Sequence, residues 1–194
     1  MGNSLERLPS TFSYSQALRS GLAKRELYRL RDEGRLERIG RGLYRRADAA
    51  APADPDLIEI ALRAPRATLC LTTALARHGL SDAIPAELDI AIPRGERAHP
   101  TQAPVHWHRF DAQTFGIGRD TLALESGLRI GVYTPERCII DALRMRAAEG
   151  PELGHVALRR WLRVKGAQPA RLLTMAKAFP RTLKTLRHAL EILL

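Results

Sequence analysis

The residues best suited to chemistry in this sequence are charged and clustered. The run "RLRDEGRLERIGRGLYRR", residues 29–46, holds seven arginines and three glycines, and Arg41 stands between Gly40 and Gly42. Just upstream, Lys24, Arg25, Tyr28 and Arg29 recur at the spacing of one helical face. A guanidinium donates two parallel hydrogen bonds to a guanine edge, an ammonium suits a phosphate, and a tyrosine ring stacks or touches phosphate. Such a set at the start of a helix is chemistry for a polyanion. The bland alternative is a solvated arginine-rich face on a module that binds protein.

Three other groups invite the same question. Glu87 and Asp89 alternate along a strand-like run. Paired carboxylates of this kind hold magnesium in nucleases, but no Glu-x-Lys motif follows them. In "VHWHRF", His106 and His108 are two apart on one strand face, with His99 nearby. Zinc needs more ligands than two, and no fitting Cys, Asp or Glu is evident, so neither a metal nor another cofactor is expected. In "TPERCIIDALR", residues 134–144, Arg137 and Asp141 are four apart among apolar neighbours. They can pair along a helix, either as a structural ion pair or as part of a site in the second region. There is no Walker loop, dinucleotide fingerprint, His-x-x-x-His helix or nucleophile elbow, so the chain is not expected to be an enzyme.

The elements that must carry the basic cluster are short and well punctuated. Ser15–Ser20 is one helical segment, broken at Gly21. Ala23–Glu33 is a second, with Ala23, Leu27 and Leu30 on its inner face and Gly34 at its end. Leu36–Ile39 and Leu43–Arg45 are strand-like runs around Gly40-Arg41-Gly42, a hairpin signal that places Arg38, Arg41 and Arg45 on a wing. Helix, turn, helix and hairpin together predict a winged helix-turn-helix. Recognition helices read bases from their N-terminal residues, and this one is basic there and acidic at its end. A wing-tip arginine can enter a narrow minor groove.

The stretch "ADAAAPADPD", residues 47–56, reads as a linker. It separates a DNA-binding domain at 1–48 from a larger domain at 49–194. In the latter, helices are expected over 57–63 and 71–78, and strands over 88–92, 105–108, 121–125 and 128–133. Ser126-Gly127 reads as a two-residue hairpin turn. Thr134-Pro135 starts a helix, and more follow near 152–164, 169–178 and 181–193. The last carries Leu183, Leu186, Leu190 and Leu193, too few heptads for a free coiled coil. The fold class is α+β: an N-terminal winged helix-turn-helix, then a mixed domain with a small sheet and C-terminal helices.

Charge distribution points the same way. The 194 residues carry a net charge of +10. Residues 1–46 hold eleven Lys and Arg against five Asp and Glu, a net of +6; the remainder hold twenty against sixteen, a net of +4 over three times the length. The excess sits where the winged helix is predicted, which suggests duplex DNA as partner. No apolar run approaches the roughly 20 residues of a membrane span, and "MGNSLERLPSTFS" lacks a signal peptide's apolar stretch. A cytoplasmic protein without a membrane partner is expected. Cys70 and Cys138, far apart in apolar stretches, fit reduced, buried thiols.

These pieces in this order resemble a family. "LYRLRDEGRLERIGRGLYR", then "LTTALARHGLSDAIP", "LDIAI" and "YTPERCIIDALR", look like the AbiEi-type antitoxins of bacterial type IV toxin–antitoxin and abortive-infection systems, which serve in phage defence. The resemblance covers nearly the whole chain. It implies an N-terminal domain that represses the antitoxin's own operon at inverted-repeat operators. It also implies a C-terminal domain that counters a nucleotidyltransferase-type toxin without a stable complex. Two departures stand out: only Ser4–Leu8 is available for a first helix before Pro9, and the second region lacks acidic catalytic signatures. The rival readings are a metal-dependent nuclease guided by the winged helix, with Glu87 and Asp89 as ligands, and a protein-interaction scaffold with a basic wing.

Overall fold

The structure, a computed structural model, describes residue 5, residues 7–50 and residues 52–193. It divides into two compact units: 1–65 with 99–103 and 123–130, and 66–98 with 104–122 and 131–194.

In the first unit, α1 (Tyr14–Arg19) starts at a reciprocal cap. The Ser13 hydroxyl accepts from the Gln16 amide at 3.2 Å, and the Ser13 amide donates to the Gln16 side chain at 2.7 Å. After the turn, α2 (Lys24–Asp32) buries Leu27 and Leu30. Ala23, expected to face inward, is instead the exposed N-cap of α2; Leu22 supplies the buried contact one residue earlier. The hairpin of β2 (Leu36–Gly40) and β3 (Leu43–Arg46) forms as predicted, with Gly40 part of a strand and Arg41-Gly42 as the loop. Gly42 has φ +71°, a conformation that glycine adopts without cost.

A third strand, β1 (Thr11–Ser13), was not foreseen; it pairs antiparallel with β3, giving the order β1-β3-β2. At three residues it is too short to show a period. Its Phe12, fully buried, stacks on Tyr44 with ring centres 6.2 Å apart. Leu5, Leu8, Leu22, Leu27, Leu30 and Leu36 complete that core. Of the segment considered for a first helix, Ser4 and Glu6 lie outside the described residues, while Leu8 closes a turn on Leu5. α3 (Pro55–Arg63) begins two residues before its expected start, because Pro55 takes the first helical position, where its missing N–H costs nothing.

The second unit is organised around a sheet of order β6-β5-β4-β8-β7. Its strands are β4 (Thr68–Leu69), β5 (Leu88–Pro93), β6 (Val105–Phe110), β7 (Arg119–Ala123) and β8 (Arg129–Tyr133). The sheet is mixed: β4 runs antiparallel to β5 and parallel to β8, and β5 runs parallel to β6. β4, the central strand, was not expected, since two residues carry no pattern. The β7–β8 connection is a 3₁₀ turn over Glu125–Gly127, closed by the Leu124 amide on the Leu128 carbonyl, and so is longer than the two-residue turn expected.

The helices are α4 (Leu71–Arg77), α5 (Pro135–Arg144), the short and unforeseen α6 (Arg146–Glu149), α7 (Glu152–Leu162), α8 (Pro169–Ala176) and α9 (Pro180–Leu193). α5 starts as read, with Thr134 as N-cap and Pro135 next, and every residue from Arg137 to Leu143 is buried. It packs against α4, α7, α8 and α9. A Cβ on Gly154 of α7 would come within 2.8–2.9 Å of Leu143, so glycine alone permits that approach. α9 packs on α5 and α8, burying Leu186 and Leu190, so its leucines serve the unit's own core. Among the described residues no helix is long and apolar enough to cross a membrane.

Candidate nucleic-acid interface

The outer face of α2 presents the residues singled out in the sequence. Lys24, Arg25 and Arg29 are exposed, and Tyr28 is half-buried. Among the described residues Arg25 has neither a hydrogen bond nor an ion pair, and Arg29 reaches Glu33 only at 3.8 Å in open solvent. Such a pair is weak and readily exchanged for a phosphate or a base. The Tyr28 ring lies between the Lys24 ammonium, 5.8 Å from its centre, and the Arg31 guanidinium, 5.0 Å away. Arg31 is already engaged, donating twice to Asp32 at 2.9 and 2.6 Å, and that hydrogen bond holds its guanidinium above the usual arginine range.

The start of α2 is poorly capped and carries cations, although Glu26 in its first turn and Arg29 and Arg31 in its last complement the helix dipole. Its N-cap, Ala23, has no side-chain hydrogen bond to offer, so the first-turn amides lack a side-chain partner. Lys24 and Arg25 then place cations at the helix end where the dipole is already positive. An anion arriving there would meet both unsatisfied amides and cations.

The wing arginines divide by role. Arg45 donates to Glu37 at 2.6 Å and keeps a buried Nε without a partner, and Arg38 donates to the Gly40 carbonyl of its own hairpin. Arg41 at the tip is exposed, and its carbonyl accepts from Arg63 Nη2 of α3 at 3.0 Å. Arg63 also donates to Glu59 at 2.8 Å, and Glu59 accepts from the Gln102 amide at 2.8 Å. Sequence reasoning missed this clasp on the wing. The four-residue spacing of Glu59 and Arg63 was the available signal, but it does not say that the pair reaches a hairpin.

The candidates of the second region have other surroundings. Arg137 is fully buried, donates to Asp141 at 2.8 Å and to the carbonyls of Thr114 and Ile117 at 2.7 and 2.6 Å. Its guanidinium lies 4.3 Å from the centre of Tyr133, 4.7 Å from Phe179 and 5.5 Å from Phe110. Arg144 approaches the other carboxylate oxygen of Asp141 at 2.9 Å. Burial pushes the Asp141 carboxyl up, against the pull of the two arginines. This arrangement orders the core around α5 and offers no surface to a partner. Cys70 and Cys138 are free and buried, and burial holds both thiols far above the range in which a thiolate forms.

Glu87 and Asp89 do not form the carboxylate pair of the nuclease reading. Glu87 precedes β5 and is exposed, whereas Asp89 is buried. Asp89 faces the histidines of β6 instead. His108 Nε2 is 2.9 Å from Asp89 Oδ1, and His106 Nδ1 is 3.6 Å from the same oxygen. His99 is not part of this group. The acidic partner that seemed missing beside the two histidines comes from the neighbouring strand.

Comparison with known proteins bears on the first unit most directly. Residues 3–47 match the family model described as "transcriptional regulator, AbiEi antitoxin". No curated protein matches. Among solved structures, the chain resembles the crystal structure of the RV2827C protein from Mycobacterium tuberculosis, with a TM-score of 0.61 at 17% identity over 97% of this chain and 73% of the other. At that identity the likeness speaks for the fold, a winged helix followed by a mixed α+β region. With its second helix, wing and basic face in place, the segment 3–47 is similar to the regulator domains that this AbiEi antitoxin family model describes.

Proposed function

We propose that this protein is a type IV antitoxin that represses its own operon by binding DNA and acts by binding rather than catalysis. Residues 1–48 contact inverted-repeat operators in its promoter, and residues 49–194 counter a nucleotidyltransferase-type toxin without a stable complex. The observation that carries the reading is the outer face of α2: an uncapped helix start bearing Lys24, Arg25, Tyr28 and Arg29, with Arg25 unengaged. On this reading Arg25 and Arg29 meet base edges, Lys24 and Tyr28 meet phosphates, and Arg41 enters the flanking minor groove, with Arg38 and Arg45 supporting the wing. Arg137 and Asp141 serve the antitoxin region by holding its core. Its place of action is the cytoplasm, where operon and toxin are found.

Two measurements on the full chain test this. Fluorescence anisotropy should give tighter binding to the protein's own promoter than to scrambled duplex at equal salt. In cells carrying the toxin gene under a separate promoter, the protein should restore growth, and an Arg25→Ala/Arg29→Ala variant should rescue growth without repressing the operon. Equal affinity for both duplexes contradicts the repressor assignment. Loss of rescue in the DNA-binding variant contradicts the division of labour.

A further inference from the structure

We propose that Asp89, His106 and His108 form a binding site for a divalent transition-metal ion of the zinc class. Each residue offers one ligand atom: a carboxylate oxygen, Nδ1 of His106 and Nε2 of His108. All three atoms lie within 4.8 Å of one another. In tetrahedral zinc sites, bonds of about 2.0–2.1 Å set neighbouring ligand atoms about 3.3 Å apart. The 2.9 and 3.6 Å separations from Asp89 Oδ1 bracket that value.

The backbone brings the three together by register. β5 and β6 run parallel with Asp89 opposite His106 and Ala91 opposite His108, so the three side chains share one sheet face. Asp89 is fixed along its backbone: its amide donates to Thr73 Oγ1 at 2.8 Å, and its carbonyl accepts from the Cys70 amide at 3.0 Å. Ligands on paired strands hold their geometry better than ligands on loops.

Charge supplies the second reason. A buried carboxylate needs a compensating cation. This chain has 31 Lys and Arg, yet among the described residues the ion-pair partners of Asp89 are the two histidines alone. A divalent ion bound by all three supplies that charge and uses both imidazoles as ligands. Two imidazoles and one carboxylate suit zinc, and three protein ligands leave a fourth position for water. The exposed ring of His106, on edge strand β6, puts that position at the solvent side.

The full-length protein, stripped with chelator, should be titrated with Co²⁺ and then Zn²⁺. One equivalent of Co²⁺ should produce the strong visible absorption of a tetrahedral site, and Zn²⁺ should abolish it. His106→Ala removes an exposed ligand and leaves the buried Asp89–His108 contact intact, so the variant should melt like the parent without metal. Its Zn²⁺ affinity should fall about tenfold or more. His99→Ala should bind as the parent does. Absence of the visible band at stoichiometric Co²⁺, or unchanged affinity in His106→Ala, would overturn the proposal, as would loss of binding in His99→Ala.

Discussion

Arginine does opposite work in the two units. Arg25, Arg29 and Arg41 stand in solvent with weak partners or none, so their hydrogen-bonding capacity is available to a ligand. Arg137 has no exposed surface, and three acceptors and three aromatic rings surround its guanidinium. The same side chain is left open to a ligand in one unit and is enclosed as a structural pin in the other. Composition cannot separate these roles. The apolar spacing around each arginine can, because it decides which side of the element meets water.

The sharpest way to break this contrast is to remove Arg137. Arg137→Ala would leave Asp141 buried with only Arg144 beside it, and breaking such a pair costs about 3–5 kcal/mol. Urea unfolding of the variant should show that loss, while the folded fraction keeps parental affinity for DNA. A loss below about 1 kcal/mol would mean that the pair is not structural.

Salt tests the other side of the comparison. If about five basic side chains meet phosphates, log affinity should fall with log salt at a slope near −4 to −5. A slope near zero would remove the exposed arginines and lysine from the interface. Substitutions then apportion the contacts. Arg25→Ala and Arg29→Ala should each cost about 1–3 kcal/mol on the operator and blunt its preference over random duplex. Lys24→Ala should weaken both duplexes alike, and the assignment fails if all three variants lose equally on both. The smallest effect separates the wing arginines. Arg41→Ala should weaken operator binding by about 1 kcal/mol, the scale of one ordinary hydrogen bond, and Arg45→Ala by less, because Glu37 already holds Arg45. Reversal of that order in a competition assay would place Arg45 at the groove.

Much of the first unit is legible in the sequence. Leu27 and Leu30 set the inner face of α2, and Gly34 and Gly42 mark turns that need positive φ. Thr134-Pro135 placed the start of α5 to the residue. What escaped was short or non-local. β1 and β4 have three and two residues, fewer than a period needs to declare itself. Spacing alone points Ala23 inward, but as N-cap it lies outside the helical wheel. Asp89 is 17 and 19 positions from His106 and His108, and only the parallel register of β5 and β6 makes them neighbours. No local pattern encodes which strands pair.

If the wing meets DNA as proposed, the clasp on it has a consequence for association. Wing loops are commonly mobile until they settle into a groove, and settling them costs conformational entropy at the moment of association. Here the loop carbonyl of Arg41 is already held by Arg63, which Glu59 holds in turn. That ordering takes place when the chain folds, so the tip is preorganised before any encounter. Association should then involve little induced fit at the wing, and releasing the tip with Arg63→Ala should slow capture more than it shortens the lifetime of the complex.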